Sequence, residues 1–326
     1  MLFYPDALLL LLLAIVLDGL IGDPDWLWKR LPHPVVLIGR LIKRLENGLN
    51  HRRRSSAAKK AGGILTLGIL LSLSIVTGAA LHQLAAHIPF GEALVVIAAA
   101  VLIAQKSLYQ HVAAVRRGLA SDGLEGGRKA VSMIVGRDPM QLDEAGVSRA
   151  AIESCAENFS DGVVAPVFWF AVAGLPGLIA YKAVNTADSM IGHKTETYLD
   201  FGWASARFDD LVNLPASRLA GLLFICAAPL AGGSPRKALS AVQHDAKKHR
   251  SPNAGWPEAA MAGALGLALA GPRIYPGYTV NDPYMNRSGR KTATAGDIGR
   301  ALQIMLGACV LLALLVLLGL SIHSFA

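Results

Sequence analysis

The sequence has little charge, little cysteine and few aromatic residues. Charged side chains make up 17 % of the 326 residues and apolar ones 53 %. A soluble domain carries roughly 25 % charged residues, so this chain cannot coat itself as a water-soluble enzyme does. Disorder and fibrous repetition are excluded as well, because apolar residues are too many and too irregularly placed. Cys155, Cys226 and Cys309 form no CxxC pair and no Cys/His cluster. That argues against both a disulfide framework and a zinc site. No GxxxxGK[ST] occurs, and Gly289-Arg-Lys-Thr292 is only a fragment of one. GxGxxG, HExxH and GxSxG are missing too, so any nucleotide needs a site that is not a P-loop.

Long apolar runs are what the sequence does have. Mean hydropathy is +0.44, which points to a membrane protein. The formal charge of +8, from 31 Lys and Arg against 23 Asp and Glu, belongs by the positive-inside rule in cytoplasmic loops. It also suits anionic ligands.

Leu8 to Ile21 is the first run, interrupted by Asp18. No small-residue cleavage site follows, so it reads as a retained membrane helix rather than a signal peptide. Ten Lys and Arg lie between Asp23 and Lys60; this is a topology signal and not a nucleic-acid site. Clear spans are expected at about 8–21, 61–81, 93–109 and 302–322. Residues 163–190 predict a re-entrant helical hairpin, because Gly174-Leu-Pro-Gly177 divides an apolar run with polar clusters on both sides. Segments 214–230 and 257–271 read either as a pair of spans or as short helices on the cytoplasmic side. The expectation is an all-α, polytopic membrane protein forming one domain over 1–326, with about four to six transmembrane helices.

Four polar clusters interrupt this pattern. In the first, Glu153, Glu157 and Asp161 recur at i, i+4 and i+8, beside Asn158 and Ser160. On one helix their like charges repel, and an oxygen-rich face of this kind suits Mg²⁺; an exposed acidic face is the plainer alternative. In the second, Asn185, Asp188, Ser189 and Gly192 form a polar stripe bracketed by Lys182 and Lys194. Ionisable groups beside an apolar run are functional or paired. The third holds Arg207, Asp209, Asp210, Asn213 and Arg218. Asp209 or Asp210 suits a metal, and the arginines suit phosphate oxygens; helix capping before Pro215 is the alternative. In the fourth, His249, Ser251 and Asn253 lie in a basic turn leading into an apolar helix. Such a turn is an anion site or a plain helix entry.

Taken in order, these motifs resemble the CobD/CbiB adenosylcobinamide-phosphate synthases. The resemblance rests on Asp18–Pro24 with His33-Pro34-Val35, Glu157–Pro166, Lys182–Gly192, Asp209–Asn213 with Pro215 and Arg218, and Ser251–Gly255 with Pro257-Glu258. It covers residues 18 to about 275. It implies an integral membrane enzyme that joins adenosylcobyric acid to (R)-1-amino-2-propanol or its O-phosphate in an ATP-dependent reaction. A membrane sensor or regulator, or a corrinoid transporter, is the alternative reading. No internal two-fold repeat favours the transporter.

Residue chemistry then suggests roles. Glu157, Asp161 and Asp188 would serve Mg²⁺-ATP. Lys182, Lys194, Arg207 and Arg218 would hold phosphate oxygens, while Asp210 or His249 takes the ammonium proton. Asn158, Ser160, Asn185, Ser189, Asn213, Ser251 and Asn253 would hydrogen-bond substrate. No prosthetic group and no nucleic acid are expected. The expected partners are the two substrates, the lipid bilayer and either a second copy or other corrinoid-assembly enzymes. The expected location is the bacterial inner membrane, with the polar motifs facing the cytoplasm.

Overall fold

The computed structural model describes residues 7–136, 138–275 and 278–325. In chain order its helices are α1 (Ala7–Leu20), α2 (Asp25–Trp28), α3 (Pro34–Leu49), α4 (Ser56–His87), α5 (Glu92–Leu102), α6 (Gln105–Val131) and α7 (Glu144–Phe159). They continue as α8 (Ala165–Ile191), α9 (Trp203–Val212), α10 (Leu214–Ala227), α11 (Pro235–Asp245), α12 (Gly255–Leu265) and α13 (Ala295–Phe325). Two antiparallel strands, β1 (Leu269–Tyr275) and β2 (Tyr278–Met285), lie between α12 and α13, paired from Leu269↔Met285 to Tyr275↔Tyr278. The rest of the fold is α, as expected.

Among the described residues, five segments are long and apolar enough to cross a membrane: Ser56–His87, Glu92–Val131, Glu144–Ile191, Leu214–Ala231 and Ala295–Ile322. Their composition explains the helices. Hydrocarbon offers the backbone no partner, so each N–H and C=O must bond within its own segment. The first run forms α1 as expected, but its 14 residues give about 21 Å of helix against a core of about 30 Å. The expected span 93–109 is interrupted, because Ile103 is extended between α5 and α6. The expected helix 257–271 stops at Leu265, where Gly266 takes φ 69° and the chain becomes a strand.

Two helices bend sharply at glycine. Gly123 in α6 (φ 63°, ψ −149°) and Gly174 in α8 (φ 63°, ψ −155°) share a conformation essentially closed to residues with a β-carbon. At both, the chain folds back on itself. A β-carbon on Gly177 would lie 2.6 Å from the Trp169 carbonyl oxygen, and one on Gly118 would lie 2.6 Å from the Gly126 carbonyl oxygen. In a straight helix, residues eight apart are separated by about 12 Å. The bend near Gly174–Gly177 was legible in the sequence. A re-entrant course through a bilayer remains an expectation.

Contacts divide the chain into two compact units, one of residues up to 104 with 165–213 and 316 onward, the other of 105–164 with 214–315. In the first, Ile42, Leu70, Ala183, Ala187, Ile191 and Phe201 form a buried cluster. Helices α4 and α8 meet there over bare backbone. A β-carbon on Gly78 would lie 2.6 Å from the Pro176 nitrogen, and Gly63 packs directly under Phe201. The second unit is built on α12, which packs against α10 and α11, with Gly263 seated on the Lys237 and Ala238 backbone. At its edge Asp297 accepts both bonds from Arg290 Nη2, at 2.8 and 2.7 Å.

Gly78→Leu is expected to lower stability by about 1–3 kcal/mol through overpacking against Pro176. Gly68, which has no neighbour within 4 Å of its would-be β-carbon, should accept alanine without loss. Thermal unfolding of the detergent-solubilised variants measures both; equal stability of Gly78→Leu and wild type would contradict the close α4–α8 packing.

Candidate functional site

Within the first unit, α8 and α9 bring three expected residues together around one carboxylate. Asp209 is 7 % exposed. It accepts from Asn213 Nδ2 at 2.9 Å and from Asn185 Nδ2 at 3.4 Å. Tyr181 donates its hydroxyl to Asn213 Oδ1 at 2.9 Å, which fixes the amide so that its nitrogen faces the acid. Burial pushes the Asp209 carboxyl up to about 7, with the nearby Asp188 charge acting in the same direction and the two amides opposing it. Asp210 is also raised by burial, against the pull of Arg207 and Lys194. The Arg207–Asp210 pair is open, at 4.0 Å. Asp188 projects over Gly192, where any β-carbon would meet its carboxylate. Ser189 and Lys194 are exposed at the end of the same segment, and Lys182 is half-buried on α8.

Along α7, in the second unit, the expected stripe of carboxylates is split. Glu153 is buried and accepts the Ala270 backbone N–H at 2.8 Å, with Arg149 at 4.0 Å, so it anchors the start of β1. Glu157 stays exposed and Asp161 half-buried. The helix widens to a π-helix over Ser160–Val164, which contains Asp161; such segments frequently occur at functional sites. Asn158 donates to Ser154 at 2.9–3.0 Å. Ser160 Oγ is buried with no hydrogen-bond partner among the described residues.

A third cluster, also in the second unit, joins α10 to the entry of α12. Arg218 Nη1 donates to Asn253 Oδ1 at 2.8 Å and to Ser217 Oγ at 2.9 Å, and its guanidinium lies 4.6 Å from the Trp256 ring centre. Ser251 Oγ caps the turn by accepting from the Asn253 and Ala254 N–H groups at 3.2 and 3.1 Å. The Ser251 N–H donates to His249 Nδ1 at 3.1 Å, and the ring's other nitrogen is Nε2. That nitrogen faces Glu258 at 3.8 Å, and both side chains are buried.

Sequence reasoning left Asp209 secondary to Asp210, and it gave no role to Tyr181 or Glu258. An acid two residues inside an apolar run was the available signal for Glu258. Among the described residues no group of three or more His, Cys, Asp or Glu is placed to hold a metal ion.

By fold and composition this is a multi-pass helical membrane protein, with polar clusters in both units. The CobD/Cbib protein family profile matches residues 11–305. The cobalamin biosynthesis protein CobD of Sinorhizobium sp is 56 % identical over 309 residues, covering 94 % of this chain and 96 % of its own. Those of Brucella suis and Rhodobacter capsulatus are 54 % and 49 % identical, each over 90 % of this chain and 91 % of its own. The chain belongs to the CobD/CbiB family of cobalamin biosynthesis proteins. No solved structure matches it.

Asp209 gives a pH signature. Its carboxyl is raised from 3.8 to about 7 in the folded protein, so its stabilising contribution is complete below the unfolded value and is lost as pH rises through the folded one. Asp209→Asn should therefore gain on wild type in melting temperature as pH increases from about 4 to about 7. A flat difference across that window would mean the carboxyl ionises at its ordinary value.

Proposed function

We propose that the protein forms an amide bond between a propionate carboxyl of adenosylcobyric acid and the amine of (R)-1-amino-2-propanol or its O-phosphate, with cleavage of ATP. The observation that carries this reading is the identity of about half or more to CobD proteins along nearly the whole chain. Carboxylate and amine do not condense unaided in water. The carboxylate is first activated as an acyl phosphate, which the amine then attacks with loss of phosphate. Phosphoryl transfer needs positioning and charge stabilisation more than covalent help.

The clusters supply matching groups, each within its own unit. Glu157 and Asp161 offer oxygen donors on α7 and its π-helical extension, and Asp188 offers another on α8. One or two carboxylates suffice for Mg²⁺, whose remaining positions go to water and phosphate oxygens. Bound there, Mg²⁺ would neutralise phosphate charge. The cations Lys182, Lys194, Arg207 and Arg218 suit phosphate oxygens; Arg218 is held in place by Asn253 and Trp256. The attacking amine must shed a proton. Asp210 and His249 remain candidates, and Asp209 joins them because a carboxyl near 7 both accepts and returns protons at neutral pH. Asn158, Ser160, Asn185, Ser189, Asn213, Ser251 and Asn253 remain candidate hydrogen-bonding groups for substrate; Ser160 supports this best, with its buried and unpartnered hydroxyl. The five apolar segments support a membrane location, and the excess of Lys and Arg over Asp and Glu supports the polar clusters facing the cytoplasm.

Purified protein given adenosylcobyric acid, Mg-ATP and either amine should yield a corrinoid heavier by one dehydrated amino alcohol, with or without phosphate, only when ATP is present. Failure with both amines, from protein that still binds the corrinoid, would turn the reading to binding or transport. Alanine at Glu157, Asp161 or Asp188 should lower kcat by about 10²-fold or more; unchanged turnover in all three would remove the metal assignment.

A further inference from the structure

We propose that the second unit carries a binding site for the phosphate of an anionic phospholipid, in a cavity lined by Tyr109, Ala113, Arg116, Arg117, Ala120 and Leu302. The cavity holds about 300 Å³, at the lower end of small-molecule sites. It joins two opposite chemistries. Arg116 and Arg117 supply two positive charges, while Ala113, Ala120 and Leu302 supply apolar wall.

Both arginines are exposed, and neither side chain has an ion pair or hydrogen bond among the described residues. The acids of the neighbouring segments are committed elsewhere. Glu125 pairs with Arg128 at 2.8 Å and Asp297 is taken by Arg290 and Arg300, while Asp122 bonds the Ser121 hydroxyl at 2.8 Å and forms no ion pair with Arg116 or Arg117. Nothing on those segments neutralises the pair. Space for one of them is built in: a β-carbon on Gly299 would lie 3.0 Å from the Arg116 guanidinium carbon, so that guanidinium rests on bare α13 backbone.

Position selects the occupant. The apolar run that begins at Ala93 ends at Tyr109, and the last apolar run begins at Leu302. Two hydrocarbon-to-water borders therefore meet in this one cavity, with a tyrosine at the level where aromatic belts form. A soluble anion needs only the arginines. A phospholipid uses both halves, its phosphate between the guanidinium groups and its glycerol and first methylenes over Ala113 and Leu302. Basic pockets between membrane helices on the positive side bind anionic headgroups in this way.

The test is native mass spectrometry of the full-length protein in detergent, supplied with equal phosphatidylglycerol and phosphatidylcholine. Wild type should retain phosphatidylglycerol roughly tenfold or more in preference. Arg116→Gln/Arg117→Gln should abolish the preference, and Arg52→Gln/Arg53→Gln, a change in another basic segment, should leave it intact. Equal retention of the two lipids by wild type would overturn the proposal, and that measurement needs no variant to fold. An undiminished preference in the Arg116/Arg117 variant would overturn it as well. Inorganic phosphate at millimolar concentration should not displace the lipid; displacement would make this a soluble-anion site instead.

Discussion

Hydrocarbon cannot hydrogen-bond a peptide group, and the fold follows from that constraint. Every segment that reads as membrane-embedded is helical, because only a helix satisfies its backbone internally. The same constraint makes each interruption informative. Extended Ile103, the π-helix at Ser160–Val164 and the glycine bends at 123 and 174 all leave backbone groups to be satisfied by neighbours. The strand pair, whose outer edges would be costly in lipid, falls outside all five apolar segments. Interruptions and polar clusters also coincide along the sequence. The π-helix contains Ser160 and Asp161, and the segment that bends at Gly174 leads to Tyr181, Asn185 and Asp188.

Acids inside such a protein need partners of a particular kind. Asp209 is held by two amides. Neutral donors satisfy the oxygens but oppose burial only partly, so the Asp209 carboxyl stays raised where an arginine partner would have pulled it down. Asp297 shows the contrast, held by the Arg290 guanidinium in a fully charged pair. One design holds a proton near neutrality and the other fixes a helix start. The family reaction as proposed has use for the first, since an amine must lose a proton to react.

The apolar runs, the basic loop before residue 60 and the break at Gly174–Gly177 were legible because each rests on local composition. The candidate site was legible as clusters but not as geometry. Asn185 and Asn213 were named from spacing, yet their common acid, Asp209, emerges only when α9 packs on α8. Glu153 looked like part of a metal-binding face because sequence spacing does not show the strand it supports, 117 residues away. The π-helix at Ser160–Val164 was hidden for another reason: it uses the same residues as an α-helix and differs only in how they are bonded. Gly123 was missed as a bend although Asp122-Gly123 is a turn dipeptide, because it sits in a polar stretch with no proline beside it.

The two bend glycines also bear on how the protein can be stabilised for purification. Replacing helical glycine by alanine is a common way to gain stability, worth up to about 1 kcal/mol where the backbone is helical and the space is free. Gly48 in α3 meets both conditions. Gly123 meets only the second, having open space around it but φ 63°, and Gly174 shares that conformation. A screen guided by empty volume would accept position 123 and lose the turn, because what the chain needs there is the absence of a single carbon atom.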